Sequence, residues 1–459
     1  MSIDAILGRI DNELPAATER LLELLRIPSI STDPAYKADC DRAADWLVAQ
    51  LREMGVDAEK RQTPGHPMVV GHAGAADAKP HLLFYGHYDV QPVDPLHLWD
   101  RDPFDPQIED TTDGKVIRAR GASDDKGQLM TFVEALRAWK EETGEWPCRI
   151  TFFLEGEEES GSPSLVPFME KNAEELRSDL AMICDTGLFE SRTPAIVTML
   201  RGLLGEELTI TAPDKDLHSG MYGGIAMNPI RVLSRILASL HDDTGRITIP
   251  GFYDGVPELS DELEAQWQGL SFDHDAFLKD VGLSTPAGEE DRTPLEMIWS
   301  RPTCDVNGIW GGYTGDGFKT VLPSQAHAKL SFRLVGTQDP LKIRESFRQM
   351  VQDALPPDCT VEFTGHGAGP ASGVDTEGQM FEAARNALSE EWNIPAAYIG
   401  CGGSIPIAGY FQSILGTRPM LIGFGKDDDQ IHSPNEKYDM ESFHKGIRSW
   451  ARILDALSR

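Results

Sequence analysis

His87 and Asp89 stand two residues apart at the end of the apolar run LLFYGHYDVQP, residues 82–92. In an extended strand, residues two apart point to one face, so an imidazole and a carboxylate reach the same spot. A neutral imidazole binds a divalent metal, and a carboxylate behind it fixes its tautomer and raises its basicity. Further along, apolar stretches again run into acids or a histidine. Asp124 and Asp125 lie in GASDDKG, and Glu155, Glu157, Glu158 and Glu159 in TFFLEGEEESGS. Asp185 ends LAMICD, and His432 follows LIGFGKDDDQI. Each segment alone has a plainer reading: the two Asp would cap a helix, the glutamates would be a solvated loop tip, Asp185 would begin a turn, and His432 would be an exposed loop histidine. In open α/β sheets, however, ligands bind beyond the carboxyl ends of strands. Two cations about 3.5–4 Å apart, held by two imidazoles and several carboxylates, account for the whole set with one cause and imply a hydrolytic centre.

Such side chains must be gathered by a sheet, and the first part of the chain alternates strand and helix patterns as a helix-covered sheet does. Residues 40–54 carry Ala43, Trp46, Leu47, Leu51 and Met54 on one helical face and stop at Gly55. Strands are expected at 68–72, 81–90, 149–154 and 180–184. Leu129, Phe132, Val133, Leu136 and Trp139 mark a helix that Asp124 and Asp125 are suited to cap. Beyond Gly202 the texture changes. The pattern predicts a strand at 206–212, a helix opened by Asn228 and Pro229, a polar stretch at 242–302 without sustained periodicity, a strand at 327–335, a helix at 338–354 and a strand at 360–364. A helix at 379–391 and an amphipathic helix with Phe443, Ile447, Trp450, Leu454 and Leu457 close the chain.

A length of 459 residues exceeds one hydrophobic core, so two domains, or one carrying a large insertion, are expected. The net charge of -32 repels phosphate backbones, and no Lys/Arg cluster offsets it, which argues against nucleic acid as a partner. No run approaches membrane-spanning length, and Ile3, Ile6, Ile10 and Leu14 recur at helical spacing among charges, unlike a signal peptide. The six cysteines lack paired spacing, so neither a disulfide framework nor a Cys-type zinc site is expected, and the cytoplasm is the simplest compartment.

Taken in order, GHYDVQP, GASDDKG, LEGEEESGS, DLHSGMYGG and IHSPNE resemble metallopeptidase family M20, in particular its carnosinase and cytosolic non-specific dipeptidase branch. The resemblance covers essentially the whole chain. It implies an α/β fold in which a catalytic domain, with a central mixed sheet flanked by helices, is interrupted by a smaller ferredoxin-like lid or dimerisation domain. The corresponding expectation is catalytic segments at 1–202 and 370–459 and an inserted domain at 203–369. Carried over by position, the resemblance implies His87 and Asp185 on one metal, Glu159 and His432 on the other, and Asp124 bridging both next to a cis peptide to Asp125. It also implies Glu158 as general base and Asp89 as the acid orienting His87. His218 would reach a partner subunit's site and stabilise the oxyanion, while Arg333 and Ser404 would bind the substrate's terminal carboxylate. The expected cofactors are two divalent ions per chain, zinc first and manganese as the alternative. The expected activity is hydrolysis of dipeptides or short peptides by a homodimer. The alternative enzyme is an N-acyl amino acid amidohydrolase using the same site; a catalytically silent binding protein is disfavoured because Glu158 and all five ligands are present.

Overall fold

Every residue of the strand His81–His87 is buried, because the strand runs through the middle of a mixed sheet. The computed structural model describes residues 2–403 and 405–459. Across this sheet the order is Asp57–Arg61, Met68–Ala73, Arg149–Glu155, His81–His87, Leu180–Ile183, Pro419–Leu421 and Ala195–Leu200. His81–His87 pairs in parallel with both Arg149–Glu155 and Leu180–Ile183, and Pro419–Leu421 continues parallel to Leu180–Ile183. Parallel neighbours end on one side, so whatever follows their carboxyl ends is brought together.

The chain forms two compact units. One comprises Met1–Thr198, Val374–Ile399 and Tyr410–Arg459; the other comprises Met199–Gly373 and Gly400–Gly409. In the first, the helices Ile3–Leu25, Lys37–Glu53, Lys126–Thr143, Gln379–Trp392 and Met440–Ser458 bury apolar stripes in a common core. Phe84 stacks on Phe132 with ring centroids 3.9 Å apart, and Trp450 meets Phe132 edge-on at 5.4 Å. These contacts seat Lys126–Thr143 against the central strand, each buried ring contributing about 1.5–3 kcal/mol. The helix stops at Gly144, whose φ of 73° suits a residue without a Cβ.

The second unit alternates strand, helix, strand, strand, helix, strand: Gly202–Thr211, Pro229–Ala238, Thr303–Gly311, Gln325–Leu334, Pro340–Asp353 and Thr360–Gly369. Its antiparallel sheet runs Thr303–Gly311, Gln325–Leu334, Gly202–Thr211, Thr360–Gly369, which is the ferredoxin-like arrangement. Burial along Gly202–Thr211 alternates with period two, and Leu204, Leu208 and Ile210 pack with Leu233, Ile236, Phe332 and Phe347.

Several expectations need correction. The helix expected from Gln338 begins at Pro340, because the Asp339 carboxylate caps Leu341 and Lys342 while the Gln338 side chain accepts from Val335 N–H. The strand expected to stop at Thr364 continues to Gly369 past a bulge between Gly365 and Ala368. The stretch 242–302 holds three short helices, Asp261–Gln268, His274–Asp280 and Pro294–Trp299, opened by the caps Ser260, Asp273 and Thr293. Asp125 does occupy the position before Lys126–Thr143, but its side chain makes no cap; it accepts the His87 N–H at 3.0 Å.

Candidate metal centre

His87 is the last residue of its strand and pairs in register with Glu155, the last of the neighbouring strand. Glu158 and Glu159 follow in a short turn, Asp185 lies two residues past Ile183, and His432 sits in the loop beyond Pro419–Leu421. Asp124 comes from the turn before Lys126–Thr143, and its peptide bond to Asp125 is cis. All of these residues belong to the first unit.

Two groups of potential ligand atoms result, His87 with Asp124 and Asp185, and Asp124 with Glu159 and His432; within each, the atoms lie within 4.8 Å of one another. Asp124 is common to both. Its Oδ1 is 3.1 Å from His87 Nε2 and its Oδ2 is 2.9 Å from His432 Nε2. His87 Nε2 is also 3.9 Å from Asp185 Oδ2, and His432 Nε2 is 3.4 Å from Glu159 Oε2.

Asp89 supports the cluster from behind. Its carboxylate accepts the backbone N–H of Glu158 at 3.2 Å and of Glu159 at 3.0 Å, and lies 3.4 Å from His87 Nδ1. Gln91 donates to Glu159 Oε2 at 2.6 Å. No feature of the sequence pattern singles out Gln91; only its place two residues beyond Asp89, in the same extended direction, hints at it.

Electrostatics here is dominated by anions facing one another. Burial pushes Glu158 up to about 7, with Glu159, Asp89 and Asp124 adding to the effect and His87 opposing it. Asp185 is driven well up by burial and by the charge of Asp124. Hydrogen bonds to Asp124 and Glu159 raise His432 to about 10, and burial only partly opposes them. For His87, burial opposes the charge, yet the close carboxylates of Asp124 and Asp89, with Asp125 behind them, carry it well above the usual imidazole range. A field that favours imidazolium is one that attracts divalent cations, which take the place of those protons.

Not every acid in these segments belongs to the centre. Glu155 accepts from Tyr85 Oη, and Glu157 accepts the N–H groups of His66 and Ser164. Asp428, Asp429 and Asp439 also cluster, but Lys437 Nζ pairs with all three at 2.9, 2.9 and 2.7 Å. Lys426 Nζ adds a second ammonium 2.9 Å from Asp439, so lysines already occupy the space between these carboxylates and offset most of their charge.

His218 and Arg333 lie in the second unit. His218 is exposed, and its Nδ1 accepts the Gly220 N–H at 3.0 Å. Arg333 is half-buried on Gln325–Leu334, opposite Thr303 in the register. Ser404 falls outside the described residues.

The donor set suits two divalent cations. It combines two imidazoles with three carboxylates, one of them shared. His87 Nε2 is buried, has an anion beside it, and is not aligned for a hydrogen bond; Glu159 Oε1 is likewise buried without a hydrogen-bond partner among the described residues. Buried atoms of the two ligand groups that lack a hydrogen-bond partner are what bound metals would satisfy.

Among the described residues no helix is long and apolar enough to cross a membrane. A Cys-Gly metallodipeptidase of Candida albicans is 30% identical over 476 residues, spanning 99% of this chain and 97% of its own. Among solved structures, the M20 family metallo-carboxypeptidase Sso-CP2 of Sulfolobus solfataricus is 34% identical with a TM-score of 0.81, covering 96% of this chain and 99% of that one. Human carnosine dipeptidase 1 is 26% identical with a TM-score of 0.79, covering 100% of this chain and 99% of that one. The sequence model of Peptidase family M20/M25/M40 matches residues 83–456. With full-length relatives, the same overall fold and a profile that takes in every member of the metal cluster, the chain belongs to peptidase family M20/M25/M40.

Proposed function

We propose that the chain is a dinuclear metal-dependent dipeptidase. The observation that carries this reading is Asp124 shared between two ligand groups, with the Glu158 carboxylate beside them and outside both. His87 and Asp185 would hold one cation, Glu159 and His432 the other, and Asp124 would bridge them. Bound there, the cations supply Lewis acidity, polarising the scissile carbonyl and making water a better nucleophile at neutral pH. Zinc is the expected ion and manganese the alternative, since His and carboxylate donors suit both.

Glu158, a carboxylate outside both ligand groups, is free to accept the proton of the attacking water and return it to the leaving amine. Asp89 keeps the Glu158–Glu159 turn and the His87 ring in place. The Arg333 guanidinium and Ser404 take the substrate's terminal carboxylate. His218 stabilises the oxyanion in the site of a second copy, so the working form is a homodimer. Residues 203–369 serve as lid and dimerisation domain between catalytic segments 1–202 and 370–459. The cytoplasm is the proposed compartment.

Relatives named for Cys-Gly and carnosine support dipeptides as substrates, and favour a peptidase over a deacylase. The similarity to a metallo-carboxypeptidase supports a second reading, with longer or N-blocked substrates. One experiment separates these. Protein loaded with zinc or manganese is offered free dipeptides, the same dipeptides N-acetylated, and N-acetyl amino acids. The expected result is cleavage of free dipeptides, abolished by chelation and cut by at least about a hundredfold in Glu158→Ala. Equal cleavage of the blocked dipeptides would favour the carboxypeptidase, preference for N-acetyl amino acids the deacylase, and no turnover with either metal would refute all three.

A further inference from the structure

Glu436 is completely buried and stands outside both ligand groups. It follows His432 by four residues and immediately precedes the strand Lys437–Asp439, which pairs with Gly114–Arg118. Its carboxylate takes four donors, two on each oxygen. Oε2 accepts Arg120 Nη1 at 2.8 Å and Gly121 N–H at 2.9 Å; Oε1 accepts Ser123 N–H at 2.9 Å and Asp124 N–H at 3.0 Å. One side chain from the His432 loop therefore organises the whole turn that presents Asp124.

The loop it belongs to needs such an anchor. Gln430, His432 and Asn435 all have positive φ, at 56°, 62° and 66°, a region costly for residues with a Cβ. Asn435 is fixed as well, accepting the Asp100 N–H at 2.9 Å through its side chain and Arg118 Nη1 at 2.5 Å through its carbonyl.

We propose that Glu436 is a positioning residue for the dinuclear centre: its carboxylate ties the turn bearing Asp124 to the loop bearing His432 and so sets the spacing between these two ligands. The proposal rests on the metal reading above. The chemistry requires a carboxylate. Two donors converge on each oxygen, so a glutamine amide would turn its NH₂ towards at least one donor pair, whichever way it flips. The Arg120 ion pair alone would be weak evidence, since buried ion pairs often stabilise little; the directional bonds to three consecutive-turn N–H groups carry the argument. Groups that orient metal ligands contribute about 10- to 100-fold in metal affinity.

The test is titration of metal-stripped full-length protein with Zn²⁺ by calorimetry, and with Co²⁺ by absorption spectroscopy, for wild type, Glu436→Gln, Glu436→Asp and Glu134→Gln. Glu134 is a buried glutamate of the same unit, paired with Arg20 and Arg137, and lies outside the centre. Its variant controls for loss of a buried ion pair as such. We expect Glu436→Gln to weaken one or both cation steps by about 10- to 100-fold and alter the Co²⁺ spectrum, Glu436→Asp to do so less, and Glu134→Gln to lower the melting temperature with unchanged titrations. A folded Glu436→Gln with wild-type affinities and spectrum overturns the proposal. If that variant does not fold, Glu436→Asp decides, and wild-type binding there overturns it equally. Wild-type protein that takes up neither ion refutes the metal reading itself, independently of any variant.

Discussion

Asp89 Oδ1 accepts the backbone N–H of Glu158 at 3.2 Å while lying 3.4 Å from His87 Nδ1. Asp89 thus serves both sides of the cluster: its carboxylate holds the turn carrying Glu158 and Glu159, while its backbone carbonyl lies 3.1 Å from His87 Nδ1 with the carboxylate charge close behind. Replacing it by asparagine keeps the shape but removes one acceptor and aims an NH₂ at a backbone donor. Asp89→Asn is expected to lower kcat/KM by about 10- to 100-fold, the range for groups that orient metal ligands. Steady-state kinetics at saturating metal checks this; wild-type efficiency would remove Asp89 from the supporting framework.

Adjacent glutamates are expected to fail differently. Glu159 belongs to a ligand group, its Oε2 3.4 Å from His432 Nε2 and its buried Oε1 without a hydrogen-bond partner, whereas Glu158 sits outside both ligand groups. Glu158→Gln should therefore retain two cations by elemental analysis while kcat falls at least about a hundredfold. Glu159→Gln should lose cation affinity, with part of its activity restored at high metal concentration. Identical metal content in the two variants would contradict this division of labour.

A pH effect is expected away from the centre. Glu175 is gripped by Arg61 through two hydrogen bonds of 2.6 Å and by His72 Nε2 at 2.8 Å, holding its carboxyl down at about 2, with the Arg61 hydrogen bonds as the main cause. Because the folded value lies below the ordinary 4.5, the stabilisation is complete above about 4.5 and disappears as pH falls towards about 2. The difference in melting temperature between wild type and Glu175→Gln should be greatest near neutrality and shrink from pH 4.5 to 3. Salt should narrow it too, since these groups are partly solvated. A difference that grows on acidification would reverse the assigned sign.

The convergence of His87, Asp124, Glu159, Asp185 and His432 is legible because acids and imidazoles that follow apolar strands share the carboxyl edge of a parallel sheet. What each neighbouring acid does is not legible. Glu155 and Glu157 have the same local pattern as Glu158 and Glu159, yet their partners are Tyr85, His66 and Ser164 from other segments. Asp125 reads as a helix cap, but a long-range N–H from His87 wins its carboxylate. The acids 427–429 look unneutralised until Lys437 folds back onto Asp428 and Asp429. In the second unit, Thr303–Gly311 escapes notice because it is largely exposed and broken by a bulge between Val306 and Gly308, which erases the alternation. The helices within 242–302 are too short for periodicity, although the Thr293–Glu296 capping box is a signal the sequence carries.

Gly127, in the first turn of the helix Lys126–Thr143, packs directly against the preceding turn and leaves no room for a side chain of its own. A Cβ there would lie 1.9 Å from the Ala122 carbonyl oxygen and 2.8 Å from the Tyr438 ring. The first neighbour is backbone, so relief requires the turn itself to move, and Asp124 moves with it. Gly127→Ala is expected to destabilise the protein by about 1–3 kcal/mol despite alanine's better helix propensity, and to weaken cation binding as well. Gly8, in the helix Ile3–Leu25, provides the contrast, because nothing lies within 4 Å of a Cβ built there. Gly8→Ala should raise stability by about 0.4–1 kcal/mol and leave metal titrations unchanged. Thermal unfolding and Zn²⁺ calorimetry on both variants check this. Equal stability changes in the two would mean that helix propensity, rather than the close approach to Ala122, governs position 127.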